Sequence, residues 1–209
     1  MHRTITTILA VTAITSVASA GLSVHTVNFD SLPLGPDTYA AAGPAQTLNF
    51  ISNQVTFSGG VILGFPTAFP AVEFATAPNV YASSNFADPS LSNILSIDIS
   101  GLDVNLVEGL LFNGEIHFND FEVRAYDIAG LLLDSEIYTI DSNANSGAAI
   151  FSMSSAIPNI ARIEFEEFNS DGQWNMLLDT ITFNQVIPAP SSLLSLAGLG
   201  LIASRRRRA

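Results

Sequence analysis

The sequence predicts an all-β protein, an antiparallel β-sandwich, with an address peptide at each end. Three observations lead there. Between Gly21 and Gln185 no amphipathic helix of useful length appears. Short runs alternate apolar with polar residues instead, and clusters of Gly, Pro, Asn and Asp separate the runs. Fourteen phenylalanines complete the pattern, because large rings suit a core closed by two sheets.

Taken in order, Val27 and Phe29 share one face of a first strand, and Val55 and Phe57 share a face of another. Phe121 and Val123 alternate with Glu122 and Arg124. Ile163 and Phe165 alternate with Arg162, Glu164 and Glu166, and Ile181 and Phe183 alternate with Thr180 and Thr182. Ala129-Gly130, Asp141 to Gly147 and Asp171-Gly172 mark turns. Two long connections, Pro33 to Gln46 and Gly64 to Asn79, are candidate functional loops. No internal repeat is visible, so 21–185 reads as one domain.

The ends have a different character. Residues 1–20 have the layout of a secretory signal peptide: His2 and Arg3, an apolar stretch from Ile5 to Val17, and the small residues Ala18-Ser19-Ala20. Residues 186–209 hold Pro188-Ala189-Pro190, an apolar stretch from Leu193 to Ser204, and Arg205, Arg206, Arg207 and Arg208. That stretch is shorter than the roughly 20 residues of a relaxed transmembrane helix. Arginines behind it hold such a helix in the membrane by the positive-inside rule. The block resembles the PEP-CTERM sorting signal of bacterial envelope proteins, with Ala189 standing where that family usually has Glu. The resemblance implies an exosortase-like processing enzyme as partner and the membrane as a stop before processing; an uncleaved membrane anchor is the other reading of the same residues.

Charge narrows the partners. The 209-residue chain has no cysteine and no lysine. Disulfides, thiol nucleophiles and thiolate metal sites are therefore excluded. Between the address peptides two arginines, Arg124 and Arg162, face nineteen acids, a net −17. Such a body repels nucleic acid and anionic headgroups. Cations, neutral polymers and apolar groups remain.

The body also resembles the jelly-roll domains of extracellular bacterial proteins that are similar to carbohydrate-binding modules. The segments that carry the resemblance are 27–33, 54–58, 123–130, 160–165 and 178–183, with Val27-Asn28-Phe29-Asp30 and Leu178-Asp179-Thr180-Ile181 among them. It implies a non-catalytic surface or extracellular-matrix protein with a weak glycan-binding role and exopolysaccharide as a partner.

Catalytic motifs are absent: the chain holds no G-x-S-x-G, no H-E-x-x-H and no glycine-rich phosphate loop. His25 and His117 are far apart in sequence, and both have bland readings, a mobile terminus and an exposed strand position. Glu164 and Glu166 share a strand face about 6–7 Å apart, a spacing a polysaccharide hydrolase could use; a solvated outer face is the alternative. Trp174 is the single tryptophan of the chain, and it is either a sugar platform or a packing residue. Asp179, by parity with Leu177, Ile181 and Phe183, points inward, and an inward carboxylate needs hydrogen bonds, a counter-charge or a metal. In the modules that the body resembles, a structural calcium joins the end of the first strand to the last strand, which makes Asp30 and Asp179 its ligands here. Asp141 to Gly147 begins like a calcium loop, but Ser146 and Ser152 break the pattern, so a polar turn is the better reading. A purely structural or adhesive protein that binds no small ligand is the third functional class.

Overall fold

The computed structural model describes residues 21–64, 76, 78–85, 91–114, 118–141, 147–168, 172 and 174–187. The signal peptide, the Pro188–Pro190 motif, the tail arginines, His117 and most of the 141–147 turn lie outside these residues. Within the described residues no helix is long and apolar enough to cross a membrane.

The chain forms eleven strands: β1 (Gly21–Val27), β2 (Gln46–Phe50), β3 (Val55–Gly64), β4 (Asn79–Ser84), β5 (Ile94–Ile99), β6 (Val104–Asn113), β7 (Phe118–Tyr126), β8 (Leu132–Asp141), β9 (Ala148–Ser154), β10 (Arg162–Phe168) and β11 (Asn175–Ile187). One turn of 3-10 helix (Phe29–Ser31) and a one-turn helix α1 (Tyr39–Ala42) lie in the first long connection. Every assigned register is antiparallel. The expected β-sandwich is the observed fold.

One sheet runs β8-β7-β10-β5-β3, with β2 also on β3; the other runs β3-β4-β11-β6-β9, with β1 on β11. Strand β3 belongs to both. Val55–Ser58 pairs with β5, and Val61–Gly64 pairs with β4. The strand bends between them at Gly59-Gly60. Gly59 has φ +97°, and a Cβ there would lie 2.4 Å from the Ile94 carbonyl oxygen. Only glycine allows both the backbone angle and the approach.

On the opposite side the two end strands, β8 and β9, are linked through side chains. The Ser154 N–H donates to Asp134 Oδ2 at 2.8 Å, and the Ser152 N–H donates to the Tyr138 hydroxyl at 3.1 Å. These bonds cap edge donors that would otherwise invite another strand, and they bring the sandwich close to a closed barrel.

The main core lies between the sheets. Phe29, Phe57 and Tyr81 pack with half-buried Phe50 at centroid distances of 5.2–5.7 Å, and Phe151 meets Phe165 edge-on at 4.9 Å. Edge-to-face pairs of this kind add about 0.5–1.5 kcal/mol beyond area burial. A second cluster of Tyr39, Val61, Leu63, Val80, Ala82, Leu91, Phe112 and Leu177 covers the other face of the β3-β4-β11-β6 sheet. Burial on both faces explains why β4 is buried at every position and does not alternate. Tyr39 in α1 and Tyr81 in β4 are both buried.

Candidate functional site

Strand β10 forms the centre of one outer face. Its alternation sends Ile163, Phe165 and Glu167 inward and Arg162, Glu164 and Glu166 outward. Neighbours on β5 and β7 complete rows across the face: Asp98–Arg162–Tyr126, then Ser96–Glu164–Arg124, then Ile94–Glu166–Glu122. The two arginines of the body therefore stand among most of the face's carboxylates. Arg124 Nη2 donates to Glu166 Oε2 at 2.5 Å and lies 3.7 Å from Glu164 Oε2, while its Nη1 reaches Glu122 at 3.4 Å. Arg162 binds Asp98 at 2.9 Å and Glu164 at 3.4 Å. Asn93 Nδ2 donates to Glu166 Oε1 at 3.3 Å as well. Glu164 and Glu166 thus share one guanidinium.

Asp179 is fully buried. Parity alone, however, misplaces it. Asp179 pairs with Leu110 and Thr182 pairs with Glu108, so β11 carries one extra residue between them. Thr180, with φ +51°, takes up that bulge. Leu177 lies in the outer cluster, whereas Ile181 and Phe183 lie in the main core. Asp179 keeps Leu177's side, where Thr76 meets it, and does not lie between the sheets. The Thr76 N–H donates to Oδ2 at 2.5 Å, the Thr76 hydroxyl donates to Oδ2 at 3.0 Å, and the Thr180 N–H donates to Oδ1 at 2.7 Å. Burial raises its pKa above the ordinary carboxylate range; the Thr76 and Thr180 donors oppose that, and the Asp30 charge adds to it.

Asp30 lies in the 3-10 turn after β1, half-buried, with its Oδ1 3.5 Å from the Asn79 N–H. Beside it the carbonyls of Phe29, Leu32 and Pro33 converge on Asn79 Nδ2 at 3.0, 3.2 and 3.3 Å. The Phe29 carbonyl also takes the Leu32 N–H at 3.1 Å, so that donor and the two amide hydrogens serve all three acceptors. Two carboxylates and neighbouring carbonyl oxygens are hard ligands and fit calcium in kind. No group of three acidic or imidazole side chains suited to a metal occurs among the described residues. Hydrogen bonds alone already satisfy both oxygens of Asp179.

Trp174 is half-buried and packs against the main core. Asn85 holds its backbone from both sides: the Trp174 N–H donates to Asn85 Oδ1 at 3.0 Å, and the Asn85 N–H donates to the Trp174 carbonyl at 3.2 Å. His25 is ordered in β1, where its Nε2 is 3.0 Å from Gln185 Oε1.

One buried acid escaped the sequence reading. Glu167 takes the Asn119 side-chain N–H at 2.5 Å and the Asn175 backbone N–H at 2.7 Å, while the Tyr39 hydroxyl donates to Asn175 Oδ1 at 2.6 Å. Burial, followed by the Glu167 charge, holds the Tyr39 hydroxyl well above its usual range. The parity that groups Ile163 with Phe165 also includes Glu167, so the signal was present in the strand itself.

No family model matches the chain, and no curated protein matches it in sequence. Among solved structures, a DUF4465 family protein from Bacteroides caccae is similar at 13% identity and TM-score 0.53, covering 78% of this chain and 99% of that one. This likeness is one of fold. The K2 cleaved adhesin domain of Lys-gingipain aligns at 16% identity and TM-score 0.44 over 77% of this chain and 99% of that one. A family 6 carbohydrate-binding module aligns at 8% identity and TM-score 0.34 over 77% of this chain and 93% of that one.

Proposed function

We propose that this chain is an exported, non-enzymatic protein of the bacterial surface or extracellular matrix, with weak glycan binding as its ligand activity. One observation carries the non-catalytic part: the carboxylates best spaced for acid–base chemistry, Glu164 and Glu166, are bridged by Arg124. Export and sorting rest on the sequence of the two ends, with Pro188-Ala189-Pro190 and Arg205–Arg208 read by an exosortase-like enzyme and the apolar tail holding the chain in the membrane until then. Exopolysaccharide is the partner that suits a body repelling nucleic acid and anionic lipid.

Calcium is the proposed structural ion. Asp30 and Asp179 would hold it, and its charge would offset two of the nineteen acids. The two carboxylates and the carbonyl oxygens beside Asp30 support this reading as hard oxygen ligands of the kind calcium takes.

Two measurements test the proposal. A glycan-binding screen of the secreted protein, with and without calcium, should return saturable binding; a blank screen leaves the purely structural or adhesive reading. Mass spectrometry of the secreted form should find Arg205–Arg208 removed. An intact cluster in membrane-bound protein refutes processing.

A further inference from the structure

The row Asp98–Arg162–Tyr126 opens into a cleft at the end of the β10 face. The cleft is lined by these three residues with Ile99, Asp127, Ile128, Gly130 and Ala161 among its walls, and its volume is about 180 Å³. Three kinds of chemistry meet there. Tyr126 supplies a half-buried aromatic ring at its β7 wall. Arg162 donates Nε to Asp98 Oδ1 and Nη1 to Glu164, which leaves its second terminal nitrogen without a partner among the described residues. Asp98 accepts that one bond at Oδ1 and keeps Oδ2. A guanidinium donor beside a carboxylate acceptor matches two adjacent hydroxyls, each of which donates and accepts. Ile128, 90% exposed at the hairpin tip, adds an apolar lip.

The walls are fixed before any ligand arrives. The Ile99 N–H donates to the Ala161 carbonyl at 2.8 Å, and the Ala161 N–H donates to the Tyr126 carbonyl at 2.8 Å. Asp127 Oδ1 takes the N–H groups of Ala129 and Leu131 at 2.9 and 2.8 Å, and its carbonyl takes that of Gly130 at 3.0 Å. A preformed cleft spares the ordering cost of binding.

We propose that this cleft is a saccharide site for one neutral sugar ring, at a chain end or a branch. This deepens the glycan-binding reading and rests on it. The volume is below the roughly 300–1,000 Å³ of sites for larger ligands, so it admits a single ring and no run of linked sugars. Asp98, Asp127 and Glu164 outnumber Arg162, so anionic sugars are repelled. The aromatic ring and the Arg–Asp pair together supply what a sugar presents, an apolar C–H face and vicinal hydroxyls.

The test titrates the 15N-labelled secreted protein with glucose, galactose, mannose, rhamnose and N-acetylglucosamine, with glucuronic acid as the anionic arm, alongside the glycan screen. At least one neutral sugar should shift the amides of Gly130 and Ala161 saturably, and glucuronic acid should not. Tyr126→Ala and Asp98→Asn should each weaken binding about tenfold or more. Asp98 is exposed, so its variant keeps the fold even if Tyr126→Ala does not. Glycan binding that leaves Gly130 and Ala161 unmoved, or that survives Asp98→Asn, overturns the cleft and spares the glycan reading. A wild type that binds no saccharide overturns both.

Discussion

Asp179→Asn separates the forces acting on the buried carboxylate. Three donors converge on its two oxygens, two from Thr76 and one from Thr180. An asparagine can turn its carbonyl toward Thr76, but its NH2 then faces the Thr180 N–H. One buried donor is left unpaired, a cost of about 1–3 kcal/mol. At about 2–4 °C per kcal/mol for a domain of this size, the melting temperature should fall by roughly 2–12 °C at pH 7. Its pH dependence has a definite sign. Burial raises the folded-state pKa of Asp179 above its unfolded value. The stability linked to its proton is therefore fully present below the unfolded pKa and is lost as pH rises through the folded pKa. In EDTA, the advantage of wild type over Asp179→Asn should grow as pH falls from 7 toward 4. With a hundredfold excess of calcium over Kd, wild type should gain about 2.7 kcal/mol that the variant lacks. Melting curves followed by circular dichroism, at several pH values and with either additive, read all of this. A wild-type advantage that shrinks on acidification would falsify the burial-driven pKa, and equal calcium responses in the two proteins would remove the ion from Asp179.

Other outcomes follow from single contacts. Glu164→Gln with Glu166→Gln should leave polysaccharide unchanged, as should wild type, in a reducing-end assay; reducing ends released by wild type alone would make the protein a hydrolase. Gly59→Ala must place a Cβ 2.4 Å from the Ile94 oxygen at φ +97°, so it should cost about 3 kcal/mol or more in thermal or urea unfolding; a near-neutral result contradicts the bend between the sheets. Tyr138, its pKa pushed up to about 12 by burial and then by Glu136, favours the neutral form in the fold. Wild type should therefore lose stability as pH climbs from 10 to 12, and Tyr138→Phe should make that slope shallower.

The strand faces were legible because each needs only local alternation: Val55 and Phe57, Phe121 and Val123, and Ile163 and Phe165 are all buried. The face of Asp179 was not. A bulge at Thr180 shifts every later residue of β11 to the other side, and the bulge is visible only in the pairing to β6, whose partners Leu110 and Glu108 lie far back in the chain where alternation cannot reach. Strand β4, with Tyr81 in it, is hard to read from the sequence because it is buried on both faces and has no alternation. The Arg124 bridge was hidden for a related reason, since register across β7 and β10 decides which charges meet.

Strand β11 lies beside β1, β4 and β6 and is the last strand described. Thr26 and Thr182 touch across 156 residues of chain, and neighbouring contacts make β1 and the end of β11 antiparallel. The domain's first strand therefore has no assigned strand partner until its last strand has been synthesised. Loop-closure entropy opposes such distant contacts until they can form, and contacts of high order form slowly. Under the proposed export, folding would be deferred to the trans side of the membrane, because the emerging chain lacks the strand that completes the sheet. A chain stopped after Trp174 should accordingly show no cooperative melting transition, whereas one stopped after Ile187 should melt in a single step; cooperative melting of the shorter chain would show that the sheet closes without β11.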